Sequence, residues 1–361
     1  MSARPWPGAP ADEPRTPAPP AAADGPDRGA DRAERLAAAV EAADAPDTVF
    51  AMSCHGRRVL RTGGTAPPPG TAREDLRYEM GSVSKTFTGL LLARLIQNGA
   101  LTGGEPAVTC LDPARDPGPD PVTLAHLITH TAGLPALPSG FRVRALPAWR
   151  TNPYSRYPVD RVAGAFLRHG PRNRPGTRWR YSNFGVAVLG HALTAVTGTA
   201  WEDLLTEHVL RPLGLSGTAT RPGGAATDAP GHGKDGRTPV PPFDAAGFQA
   251  AGAVRATPHD LLTFLEAHLD PDGSPAADAL RAVQVPVLRR GRGRRHVHTM
   301  AWFRHPTDGG PMYFHSGATF GQQAFLGFRP DTGTALAAVC TRKVRFQDPF
   351  QTTAYAVLAA G

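Results

Sequence analysis

The spacing of apolar residues changes period several times along the chain. Ala33, Leu36, Ala37, Val40 and Ala43 recur at helical intervals and stop before Pro46, which predicts a short amphipathic helix. Two strands follow, over 48–54 and 58–62, joined by a turn at His55-Gly56. Phe87, Leu90, Leu91, Leu95 and Ile96 then mark a helix over 83–97 that Asn98-Gly99 stops. Strand patterns return near 299–303, 312–315, 323–328 and 335–341, before a last helix over 352–358. With both chain ends joined in one antiparallel sheet flanked by helices, the fold class is α+β, an α/β sandwich. Residues 31–65 and 291–361 then form the sheet domain, and 66–290 a mostly helical one. Residues 1–30, rich in Pro, Ala, Asp and Arg, hold too little apolar surface to offset the entropy of ordering and are expected to be a disordered tail.

Composition narrows the function classes. At 361 residues with 41% hydrophobic content the chain can fill a large core, yet no stretch approaches a membrane span, so no membrane partner is expected. The formal charge of +8 and the cluster Arg289-Arg-Gly-Arg-Gly-Arg-Arg295 raise the question of a nucleic-acid partner. That cluster lacks interleaved aromatics, and a solvated turn with no nucleic acid is the better reading. Three cysteines form no disulfide framework and suit a reducing compartment, with Cys54 and Cys340 expected as small core residues of strands. The first ten residues contain no apolar secretion core, and a cytoplasmic location is expected. His126 and His130 imitate a zinc helix but lack the glutamate beside the first histidine, and His296 and His298 have no third ligand nearby and read as surface residues. No metal and no cofactor are expected, and the chain has no Gly-x-Ser-x-Gly elbow and no phosphate-cradling loop.

One of only three lysines, Lys85, stands three residues after Ser82 in an arginine-biased chain. A guanidinium is effectively never deprotonated, whereas an ammonium in a poorly solvated pocket can lose its proton and take one from a hydroxyl. Three residues apart at a helix start, the two side chains share a face, and the helix N-terminus favours an oxyanion forming there. Taken alone, the pair is short enough to arise by chance and reads first as a serine N-cap followed by a solvated lysine. Downstream, Arg178-Trp-Arg-Tyr181-Ser182-Asn183 precedes an apolar helix, and Met312-Tyr-Phe-His315-Ser316-Gly317-Ala318 reads as a strand ending in a polar turn. Singly, Tyr181 is an aromatic at a helix start, Asn183 an N-cap and His315 a strand-end surface residue.

In order and spacing these motifs resemble the serine beta-lactamase and penicillin-binding protein superfamily. The similarity is to the class C-related branch with its family VIII esterases and D-aminopeptidases, and it spans roughly 31–361. Thr123-Leu-Ala-His-Leu-Ile-Thr-His-Thr-Ala-Gly-Leu-Pro135, Val209-Leu-Arg-Pro-Leu-Gly-Leu215 and Ala251-Gly-Ala-Val-Arg-Ala-Thr257 match secondary signatures of that branch. The resemblance implies an active site in a groove between sheet and helices, with Ser82 as nucleophile and with Lys85 and Tyr181 sharing its proton, a Tyr181 phenolate being stabilised by the lysine ammonium. It implies an oxyanion hole from the amides of Ser82 and Ala318, Asn183 orienting Lys85 and contacting the substrate's acyl side, and a substrate-binding strand edge at His315, Ser316 and Gly317. His315 occupies the place of a lysine that helps hold a substrate carboxylate in true beta-lactamases. Binding of a beta-lactam carboxylate is therefore expected to weaken. The expected activity is hydrolysis of a small-molecule ester or amide through an acyl-enzyme, with weak or no beta-lactam turnover. Acyl transfer in natural-product metabolism and a non-catalytic binding module remain as alternatives, and the substrate and oligomeric state stay open.

Overall fold

A computed structural model describes residues 26–291 and 296–361; the tail expected over 1–25 and residues 292–295 of the arginine cluster lie outside the described residues. Helix α1 runs over Pro26–Ala42, so the last residues assigned to a tail are helical instead. Strands β1 (Thr48–Cys54) and β2 (Arg57–Gly63) meet at His55 and Gly56, both with positive φ (47° and 79°). Two left-handed residues give a turn whose twist matches that of the flanking strands.

The rest of the main sheet comes from the far end of the chain: β3 (Leu288–Arg290), β4 (His296–His298), β5 (Phe303–Pro306), β6 (Pro311–Ala318), β7 (Gln323–Arg329) and β8 (Thr334–Cys340). Their order is β2-β1-β8-β7-β6-β5-β4-β3, with every neighbour antiparallel. Residues 299–302 are a turn and not strand: the Thr299 amide donates to the Trp302 carbonyl (3.0 Å) and the Trp302 amide donates to Thr299 Oγ1 (3.1 Å). Their apolar run was misleading because Met300 and Trp302 are buried beside the ladder rather than in it.

Strands β1, β7 and β8 are buried on both faces. Phe50, Phe325, Leu336 and Ala338 pack with α1 and with the final helix α5 (Phe350–Ala359). Val49, Ala51, Leu326, Phe328 and Val339 face the other way, into the core shared with α2 (Ser84–Gln97) and α4 (Pro258–Leu269). Such strands read as continuous apolar runs rather than alternating ones. Helix α2 is buried continuously from Ser84 to Leu95, and its Phe87 stacks on Phe264 of α4 with centroids 4.1 Å apart. An apolar helix buried all round carries any polar side chain of its first turn into the interior.

Between the two sheet segments lie further helices, α3 (Asn183–Thr197) among them, and short ladders such as Tyr78–Glu79 with Arg255–Ala256. The cysteines are all free and buried, Cys54 and Cys340 in adjoining strands. Among the described residues no group of three His, Cys, Asp or Glu side chains could hold a metal ion, and no single helix is long and apolar enough to cross a membrane.

Candidate active site

Ser82 lies in a 3-10 turn, Gly81–Val83, that runs directly into α2. Two glycines allow this turn to press against the end of β6. Gly81 holds φ +49°, and a Cβ there would stand 2.5 Å from the Ala318 carbonyl oxygen. A Cβ on Gly317 would lie 2.1 Å from the Met80 oxygen and 3.1 Å from the Ser82 nitrogen. Only backbone without side chains can approach this closely, and the approach brings the amides of residues 82 and 318 to one place. Gly317→Ala is accordingly expected to push β6 off the Ser82 turn and lower kcat/KM about 10²-fold, as measured with an activated ester.

The Lys85 ammonium nitrogen lies 3.1 Å from Ser82 Oγ and 2.8 Å from the Ala251 carbonyl oxygen. It is 1% exposed, and burial alone pushes its pKa down to about 7. Tyr181 shares a hydrogen bond with Ser82, and its ring centroid is 5.1 Å from the Lys85 nitrogen. Burial pushes the phenol up, outweighing the Ser82 hydrogen bond. Both shifts disfavour the charged forms, which weighs against an ammonium–phenolate pair and leaves a share of Lys85 as the neutral amine near neutral pH.

Tyr181 is set by the 123–135 segment. His130, itself at φ 60°, accepts the Ser182 amide on Nδ1 (3.3 Å), and its ring lies 4.5 Å from that of Tyr181. Ser182 caps α3 by accepting the Gly185 amide (2.8 Å) and donates its own hydroxyl to the Pro135 carbonyl (2.6 Å). The N-cap is thus Ser182, which leaves the Asn183 side chain free to turn toward the site.

Asn183 does not orient Lys85. Its Nδ2 donates to the Tyr154 hydroxyl (2.8 Å), and its buried Oδ1 has no hydrogen-bond partner among the described residues. The Ala251 carbonyl takes the place expected for Asn183 at Lys85 because residues 249–252 pack against α2. An open pocket is lined by Ser82, Asn183, Ala318, Tyr154, Phe243 and Phe320 among others.

His315 is absent from those walls. Side chains alternate along β6, so 315 points to the same side as Gly317 and ends beneath Lys85, where it faces an enclosed gap with His130, Trp179 and His298. Burial first, then the Lys85 charge, pushes it down to about 3, and its Nδ1 lies 2.8 Å from the Ser316 carbonyl oxygen. It is a neutral buried imidazole rather than a substrate contact, and neither Ser316 nor Gly317 presents a side chain to the pocket. His298 is likewise no surface residue: it is 5% exposed, stacks on Trp179 (4.7 Å) and accepts a hydrogen bond from Arg290 Nε (2.7 Å). Arg290 lies over Trp179 (3.8 Å), so part of the basic cluster is packed rather than simply solvated.

Glu79 ties the pocket together. Its buried carboxylate accepts the Phe243 amide (2.6 Å) and the Thr319 hydroxyl (2.5 Å), joining two walls three residues before Ser82. Arg255, 2% exposed, lies behind it, 3.8 Å from Glu79 and 3.2 Å from Asp228. Neither Glu79 nor Tyr154 stands out in the sequence, since a lone glutamate and a tyrosine in a short 3-10 turn carry no periodic or motif signal.

The sequence profile of the beta-lactamase family matches residues 33–361. The chain belongs to that family. It is a hydrolase of the beta-lactamase type, and its relatives carry related names. Penicillin-binding protein 4 of Amycolatopsis lactamdurans is 29% identical over 296 residues, covering 73% of this chain and 71% of the relative. The D-alanyl-D-alanine-carboxypeptidase/endopeptidase AmpH of Escherichia coli (strain K12) is 25% identical over 304 residues, covering 79% and 77%. In fold, the chain matches the D-alanine carboxypeptidase AmpC from Burkholderia cenocepacia with a TM-score of 0.75 at 21% identity, over 93% of this chain and all of that one.

Proposed function

We propose that this hydrolase cleaves an ester or amide through an acyl-enzyme on Ser82. The observation that carries the reading is a desolvated Lys85 amine, 3.1 Å from Ser82 Oγ, with its pKa pushed down to about 7. In that form the amine accepts the hydroxyl proton as Oγ attacks the carbonyl carbon, and the oxyanion is received by the Ser82 and Ala318 amides. Collapse breaks the bond to the leaving group, which takes its proton back from the Lys85 ammonium directly or through the Tyr181 phenol. Water then attacks the acyl carbon as the same amine takes its proton, and collapse breaks the bond to Ser82 Oγ, which recovers that proton from the Lys85 ammonium as the acid leaves.

The walls favour an acyl group with apolar or aromatic bulk, given Tyr154, Phe243, Phe248 and Phe320. Asn183 lines the pocket beside Ser82 and offers its side-chain amide to a peptide-like substrate. The name of AmpH agrees with such a substrate, and a D-configured amide or an ester of similar shape is the proposed class. Beta-lactam turnover is proposed to be slow, because His315 is neutral and withdrawn from the pocket.

Purified protein offered a panel of aryl esters and D-amino-acid amides is expected to release acid, with all turnover lost in Ser82→Ala. Turnover that survives Ser82→Ala would place the chemistry elsewhere.

A further inference from the structure

Lys85 accounts for one of the chain's three lysines, and the other two, Lys234 and Lys343, sit on segments that are hydrogen-bonded to each other. The Lys343 ammonium lies 4.5 Å from the ring centroid of Phe320, which lines the space in front of Ser82. Lys343 donates its amide to the His232 carbonyl (2.9 Å), and His232 donates its own to the Gly321 carbonyl (3.0 Å). The hairpin pairing Gly231–His232 with Pro239–Val240 carries Lys234 in its turn, and it packs so closely that a Cβ on Gly231 would stand 3.1 Å from Gly321 Cα. The hairpin, the 319–322 turn and residue 343 thus form one corner.

Among the described residues no carboxylate is paired with either lysine of that corner. Asp235, beside Lys234, is turned into its own hairpin, where it accepts the Arg237 and Thr238 amides (3.0 Å each) and the Thr238 hydroxyl (2.6 Å). Asp44 is held by Arg345 and Asp348 by Arg342. Burial and the charge of Lys234 both depress the pKa of Lys343, as expected for like charges with no counter-ion between them.

We propose that Lys234 and Lys343 form an anion site that takes a carboxylate carried by the substrate, one aromatic ring removed from the Ser82 pocket. The inference rests on the reading of that pocket as the substrate site, and it narrows the substrate to an anionic ester or amide. The carboxylate replaces the missing counter-ion while the apolar part of the substrate lies along Phe320.

The test titrates 3-carboxyphenyl butyrate and its uncharged 3-carbamoylphenyl counterpart onto the full chain carrying Ser82→Ala, so that calorimetry reads binding without turnover. The acid is expected to bind about 3- to 10-fold more tightly than the amide, the range that partly exposed ion pairs support. That preference should shrink as salt is raised and vanish when Lys234→Gln and Lys343→Gln are added. Equal affinities, or a preference that survives the two lysine substitutions, would overturn the proposal. Labelling of the unmodified chain by a fluorophosphonate reports on Ser82 separately: its absence counts against the hydrolase mechanism and leaves the calorimetric result standing.

Discussion

Replacing Lys85 with arginine is expected to lower kcat/KM at least about 10⁴-fold, the loss typical of removing a member of a catalytic unit. A guanidinium keeps its own proton throughout the accessible pH range and so cannot take the one on Ser82. Lys85→Met should be equally inactive. Because it introduces no charge into the interior, its unchanged circular dichroism would separate lost chemistry from lost fold. The wild-type rate should rise with pH through a midpoint near 7, because the amine whose pKa burial pushes down to about 7 is the active form and is protonated below that value. Neither variant should show that step. A stopped-flow profile of an activated ester from pH 5 to 9 reads all three.

Arg255→Ala is expected to destabilise the protein by about 3–5 kcal/mol, since it leaves buried carboxylates facing each other without their cation. Arg255 lies 3.2 Å from Asp228 and donates to the Phe243 carbonyl (2.8 Å), while Glu79 holds the Phe243 amide (2.6 Å). Arg77, 2.7 Å from Asp228, compensates that acid in part but does not reach Glu79. Burial already pushes the pKa of Glu79 up, and without Arg255 the residue should take up a proton and loosen its grip on the pocket wall. Urea unfolding followed by tryptophan fluorescence measures the loss. A change under about 1 kcal/mol would show that the network is not a structural centre.

Local spacing carried some of these features and distance hid others. Ser82 and Lys85 belong to one turn of chain, and their pairing follows from helical geometry. Tyr181 and Ala318 were reachable only through the order of motifs, because no local rule brings residues a hundred positions apart to one serine. The sheet was legible where strands are long, as at 323–328 and 335–341. It was not at Leu288–Arg290, a three-residue edge strand with no periodicity to read.

Polar partners were the harder part. Asn183 could have turned to Lys85 or to Tyr154, and the choice was made by a tyrosine in a short 3-10 turn, Pro153–Arg156, that carries no sequence pattern. The Ala251 carbonyl, which holds Lys85 in its stead, is a backbone atom that no side-chain reading singles out. His315 was placed correctly on a strand, but its direction depends on register: as a partner of Leu326 it faces the interior beneath Lys85 rather than the pocket.

The most direct measurement is the pH dependence of Ser82 modification. With a fluorophosphonate at limiting concentration and peptide mapping of the product, the account predicts a single adduct on Ser82 whose formation rate rises from pH 5 to a plateau above about 8, with its midpoint near 7. An adduct on another residue, or a rate on Ser82 that stays flat across that range, would contradict a neutral Lys85 amine as the base.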